Sequence, residues 1–206
     1  MKKSLCFLSG FLLALAVLIW AVMLPAMSTQ RFEKALLSTV DQQALGMSMS
    51  DLSAFAEETM RYLKDEKPLW QPKVPFHVAD AFTVHMEEVK GWVSAAPWGM
   101  GLGLMIGLAL LWMGKWQRKP ALLGVCALIG LIVCVLIWAA ADFRSFWMVL
   151  HKLFIPGGIF AAGEPVMQLF PLNLFFAYIV PVGLSVMGHM AGLMAGIFLL
   201  TKKRTA

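Results

Sequence analysis

Long apolar runs, interrupted by charge only at wide intervals, dominate this chain. No charged residue falls between Lys3 and Arg31, between Lys90 and Lys115, between Lys119 and Asp142, or between Glu164 and Lys202. A helix needs about 20 mostly apolar residues to cross the hydrocarbon of a bilayer. The pattern therefore predicts four transmembrane helices, near residues 4–26, 97–114, 120–141 and 172–200, with Pro171 at the entry to the fourth. The first run follows Met1-Lys2-Lys3 and resembles a secretory signal. Its core from Leu5 to Leu24 is longer than the about 7–15 residues of such a signal, so it reads as a retained span.

Two stretches between the spans show a different period. After Ser50 and Asp51, good helix-capping residues, the positions Leu52, Phe55, Ala56, Met60 and Leu63 share one helical face. Pro68, Pro72 and Pro75 then predict an extended connection. A second amphipathic helix carries Val78, Ala81, Phe82, His85, Val89 and Trp92 on one stripe and leads into the second span, with a break expected near Pro97. After the third span, Phe143, Trp147, Leu150 and Phe154 share a face, with Asp142 as cap and Pro156-Gly157-Gly158 as terminator. Aromatic amphipathic helices beside a span are interfacial. Small residues recur every four positions at Gly99, Gly103 and Gly107, and at Gly188, Gly192 and Gly196, a spacing that lets helices approach closely. Pro181 is a predicted kink in the fourth span.

Composition agrees with lipid as the solvent. Of the 206 residues, 60% are hydrophobic and only 14% charged, against about 45–50% and 25% in soluble domains. The net charge of +5 reads as an orientation signal rather than a nucleic-acid patch. Lys2, Lys3, Lys115, Arg118, Lys119, Lys202, Lys203 and Arg204 fill three short stretches that hold no acid, which places both termini in the cytoplasm. The segment 28–96 has seven basic and ten acidic residues and faces outside, as does 142–171. The expected fold is thus all-α: a single integral membrane domain, a four-helix bundle with both ends inside and interfacial helices outside.

Cys6, Cys126 and Cys134 lie in apolar runs without metal or disulfide spacing and read as small buried residues. No nucleophile elbow, phosphate loop or His-Glu-x-x-His occurs, so nothing supports a serine hydrolase, an ATPase or a zinc enzyme. His85 and His151 stand on the outer helices, on or beside their apolar stripes, and His titrates near working pH. Glu88, three residues after His85, is placed to orient its ring and favour the imidazolium. His77 is expected in solvent and His189 in helix packing. The residues alone leave two readings of the histidine pair: interfacial polar tips, or acid–base groups.

The stretches His85-Met86-Glu87-Glu88-Val89-Lys90 and Asp142-Phe143-Arg144-Ser145-Phe146-Trp147-Met148-Val149-Leu150-His151-Lys152-Leu153-Phe154 resemble a family of bacterial four-span membrane proteins, the lipoprotein intramolecular transacylases. Four spans, loop sizes and both motifs match along the whole chain. Glu88 stands where the family more often has Asp, and Leu150 where Phe is usual. Ile155-Pro156-Gly157-Gly158-Ile159-Phe160 replaces a segment with Asn and Trp, so no substrate contact carries over to that loop.

The resemblance implies that the sn-2 acyl chain of a diacylglyceryl-modified N-terminal cysteine passes to that cysteine's α-amino group, without cofactor or metal. It implies a bacterial plasma-membrane protein acting on its outer face, with diacylated lipoproteins and membrane lipids as partners and no nucleic acid. His85, His151 and Glu88 would be catalytic, and Asp142, Arg144, Trp147 and Phe154 substrate-contacting or supporting. The competing readings are a membrane scaffold or sensor that binds a partner outside, a transporter, and an esterase. The transporter reading has little support, because the spans hold no charge and only His189 is ionisable.

Overall fold

The computed structural model describes residues 1–156, 160 and 163–202, and these form helices and connections without a strand. In chain order the helices are α1 (Lys2–Ala26), α2 (Thr29–Thr39), α3 (Gln42–Leu45), α4 (Met49–Leu63), α5 (Asp80–Met113), α6 (Arg118–Ala141), α7 (Phe143–Phe154), α8 (Pro165–Gln168) and α9 (Leu172–Lys202). The predicted spans fall on α1, α5, α6 and α9, each long and apolar enough to cross a membrane.

The second span differs from expectation. Helix α5 runs through Pro97 without a break. Proline deletes one hydrogen bond, and a helix in apolar surroundings has no water to replace the others if it opens. The 34 residues of α5 extend about 51 Å, well beyond the about 30 Å of hydrocarbon. Its first turns, which carry Asp80, Glu87, Glu88 and Lys90, therefore stand outside the spanning part.

The chain divides into two compact units. The first holds Met1–Val22, Ala96–Arg144 and Gly183–Ala206. Its core is Cys6, Leu13, Ala14, Leu111, Ala121, Val125, Leu128, Met190 and Ile197. Glycines set its closest approaches. A Cβ on Gly107 would come within 2.8 Å of the Leu13 side chain, and one on Gly103 within 3.1 Å of Ala16. The glycine ridge of the second span thus packs on α1 as expected, and Ser9 of α1 donates a buried 2.7 Å hydrogen bond to the Gly107 carbonyl. The ridge of the fourth span does not behave so: nothing lies within 4 Å of a Cβ on Gly188, Gly192 or Gly196. Gly10 and Gly124 take that role instead, since a Cβ on either would run into the backbone of Ala121 or Phe7 across the α1–α6 contact. Of the cysteines only Cys6 is buried; Cys126 and Cys134 lie on the outer surface of α6.

The second unit holds Met23–Ala95 and Ser145–Val182. Its core is aromatic, with Phe32, Phe55, Tyr62, Trp70 and Phe82 buried among aliphatic side chains. Phe55 meets Trp70 edge-on, and Phe82 packs on both Trp70 and Phe170. Helix α4 starts two residues earlier than expected. Ser48 is its N-cap, and Asp51 completes a capping box by accepting from the Ser48 amide at 2.8 Å. Tyr62 rather than Leu63 ends its fully buried face. The Pro-rich connection is pinned at its start: Lys67 pairs with Glu58 at 2.7 Å, and Lys90 of α5 pairs with Asp65 at 2.7 Å while donating to the Lys67 carbonyl. Trp70 donates to Thr59 at 3.1 Å inside the core.

Candidate active site

Both candidate histidines belong to the second unit. His85 lies on the outer part of α5, one turn after Phe82, which is 3% exposed and anchors that turn in the aromatic core. Met86 joins Phe82 on the buried face, whereas Ala81, expected there, is exposed. His151 lies near the end of α7. The inward face of that helix is centred on it: His151 is 5% exposed, while Phe154, on the predicted apolar face, is 48% exposed.

The two imidazoles face each other nearly parallel, with ring centres 6.1 Å apart and planes 21° from parallel. Phe82 and Phe160 each present an edge to His85 at 5.5 Å. Trp147 packs on the other imidazole at 4.4 Å and on Phe175 at 4.8 Å. The result is a pair of basic nitrogen heterocycles inside an aromatic wall.

Each ring has a distinct electrostatic state. His151 Nδ1 lies 2.9 Å from the Trp147 carbonyl, one turn back on the same helix. A carbonyl only accepts, so Nδ1 carries the proton and the neutral ring keeps its lone pair on Nε2. Burial pushes the pKa of His85 down to about 4, and the neighbouring His151 adds to the shift. His85 is therefore neutral at pH 7. This differs from the expectation that Glu88 would favour its imidazolium: burial and the neighbouring His151 both lower the pKa. Nor does Glu88 orient the ring by a hydrogen bond. His85 Nδ1 and Glu88 Oε2 are both buried and lack hydrogen-bond partners among the described residues.

The helices carrying the pair are tied by Trp92 of α5, whose indole N–H donates to the Phe154 carbonyl at the end of α7 at 2.6 Å. Their rings meet edge-on at 5.3 Å. The bond satisfies one of the carbonyls a helix leaves open at its C-terminus. Trp147 and Phe154 thus touch His151 and the α5–α7 clasp, respectively. Asp142 and Arg144 are exposed and belong to the other unit; Asp142 ends α6, its N–H donating to the Trp138 carbonyl. Gly157 and Gly158, expected to end α7, lie outside the described residues. Among the described residues no three His, Cys, Asp or Glu side chains group closely enough to hold a metal ion.

Sequence reasoning did not single out Phe82, Trp92 and Phe160 as site residues. Phe82 and Trp92 sit three before and seven after His85 on its own helical stripe, a spacing that signals their nearness. Phe160 reaches His85 only through the tertiary fold.

The same architecture occurs in solved proteins. The integral membrane lipoprotein intramolecular transacylase Lit from Bacillus cereus superposes with a TM-score of 0.75 at 16% identity, over 100% of this chain and 99% of that one. The same protein carrying a histidine-to-alanine substitution matches at 0.74 and 17% identity, over 100% of this chain and 96% of that one. No curated protein matches the chain by sequence. A family model, that of the lipoprotein intramolecular transacylase Lit, matches residues 7–175, and the chain therefore belongs to the Lit family of lipoprotein intramolecular transacylases.

Proposed function

We propose that the chain moves the sn-2 acyl chain of a diacylglyceryl-modified N-terminal cysteine onto the α-amino group of the same cysteine, leaving a lyso-form lipoprotein. The reaction takes place at the outer membrane–water boundary of a bacterial plasma membrane. The observation that carries this reading is the facing pair His85–His151, one ring neutral through burial and the other with its tautomer pinned.

The substrate amine is an ammonium of pKa about 7.7–8.0 in its resting state. His85, neutral and with an unpartnered Nδ1, takes its proton. The freed amine attacks the ester carbonyl carbon and a C–N bond forms. Collapse of the tetrahedral intermediate breaks the bond to the sn-2 glycerol oxygen, which receives a proton. His151, whose Nδ1–H is held by the Trp147 carbonyl, takes the second N–H proton of the intermediate on its Nε2 lone pair and passes it to that oxygen. The proton taken by His85 is released to solvent, and an ester becomes an amide, so no nucleotide or acyl carrier is consumed. Phe82, Phe160 and Trp147 keep water from the intermediate. Nucleophile and ester share one molecule, so holding them in register supplies much of the rate.

The test is mass spectrometry of a lipoprotein's N-terminal peptide from cells that make only diacyl-lipoproteins, with and without this chain. The expected peptide keeps its mass, loses its free amine, and holds one acyl chain that resists ester hydrolysis. Loss of an acyl mass means an esterase, and an unchanged peptide means a scaffold or sensor. His85→Ala and His151→Ala should each lower conversion about 10²–10⁴-fold; full activity in both variants sinks the assignment of roles.

A further inference from the structure

Glu88 stands apart from the other acids near α5. A buried carboxylate oxygen without a partner is costly, and such charges are normally paired. The neighbouring cations are committed elsewhere. Lys90 holds Asp65 at 2.7 Å, donates to the Lys67 carbonyl at 3.0 Å and lies over the Tyr62 ring at 4.6 Å. Lys67 holds Glu58 at 2.7 Å and Arg61 holds Glu66 at 3.3 Å. Glu58, Asp65 and Glu66 are thereby paired, while Glu88 Oε2 is buried without a donor among the described residues.

One turn away, His85 Nδ1 is in the same condition. The two atoms do not satisfy each other, although three-residue spacing on a helix allows it. Two buried acceptors one turn apart on α5, a carboxylate oxygen and a ring nitrogen, both without a donor among the described residues, suit a group with several N–H donors and a positive charge. A primary ammonium has three such donors.

We infer that Glu88 is a substrate-binding residue: its carboxylate, beside His85 Nδ1, receives the α-ammonium of the lipoprotein's N-terminal cysteine. This rests on the transacylase reading and gives it a specificity element. Glu88 pairs one ammonium N–H while another points at His85, so the proton to be removed is aligned with the base before attack. When the proton leaves, Glu88 keeps a hydrogen bond to the neutral amine and orients its lone pair. An α-amine already acylated has neither charge nor spare donors, so product binds less well than substrate.

The experiment uses the full chain in nanodiscs and two probes: a dialkyl-ether analogue of a diacylglyceryl-cysteinyl peptide, which has no ester to transfer, with its α-amine free or acetylated. Binding is measured at about pH 6, where the amine is charged. The unsubstituted chain should prefer the free amine by about tenfold or more, the worth of a hydrogen-bonded charge. Glu88→Gln, which keeps shape and removes charge, should lose most of that preference, and Glu88→Asp should keep part of it. Because Glu88 Oε2 has no donor among the described residues to lose, the thermal midpoint of Glu88→Gln should hold. A full preference in Glu88→Gln, or none in the unsubstituted chain, overturns the inference. Conversion of the ester substrate is followed in parallel. Conversion without amine preference removes this inference alone, whereas amine preference without conversion removes the transacylase reading and leaves the ammonium site standing.

Discussion

At the residue scale, the site runs on burial. An imidazole in water has a pKa of about 6.5, and the aromatic wall around His85 lowers it to about 4. The sign of the stability effect follows. Between about pH 4 and 6.5 the unfolded chain binds a proton at this position and the folded chain does not, so the folded state loses ground as pH falls through that window. The contribution is fully present above about pH 6.5. His85→Gln removes this titration. Its thermal midpoint should fall less steeply between pH 6.5 and 4 than that of the unsubstituted chain; parallel curves would show that the ring is not held neutral. The same depression keeps His85 neutral in mildly acidic medium, so, with the proposed roles, conversion should not fall through protonation of His85 until the pH approaches about 4.

At the element scale, the site depends on how the first turns of α5 meet α7. The Trp92–Phe154 clasp is a hydrogen bond that joins α5 to the end of α7. Trp92→Phe keeps the ring contact and removes the donor. One net hydrogen bond is worth about 0.5–1.5 kcal/mol. A small fall in thermal midpoint and up to about a tenfold fall in kcat, with KM nearly unchanged, are expected from looser spacing of the two histidines. Glycines offer a contrast between elements. Gly124→Ala drives a methyl into the Phe7 carbonyl and should lower the detergent-solubilised thermal midpoint by several degrees. Gly192→Ala meets open space and should be neutral or slightly stabilising, because alanine favours helix by about 0.8–1.0 kcal/mol.

At the scale of the whole molecule, charge placement decides orientation. Eight basic residues and no acid occupy the three stretches assigned to the cytoplasm. Lys152, exposed on α7, belongs to a segment expected outside. In a background lacking the native cysteines, Lys152→Cys should react with an impermeant maleimide in whole cells, and Lys115→Cys only after the membrane is opened. The reverse labelling would put the histidine pair in the cytoplasm, away from mature lipoprotein N-termini.

The amino-acid sequence determined the spans, because apolar length is a local quantity, and the positions of Lys and Arg carry the expectation that His85 and His151 lie outside. It also pointed to both motif helices, though not to the start of α4 at Ser48 or to α2 and α3, whose short polar turns have a weak period. The partners in space were decided by tertiary structure alone. Which glycine ridge packs depends on the neighbour that arrives, so the ridge of α5 meets α1 while that of α9 stays open. The charge state of His85 depends on how far its surroundings, Phe82 and Phe160 among them, exclude water and on the nearness of His151, neither of which a local pattern shows. The facing of two rings 66 residues apart arises from packing between helices, where no local pattern of the chain records it.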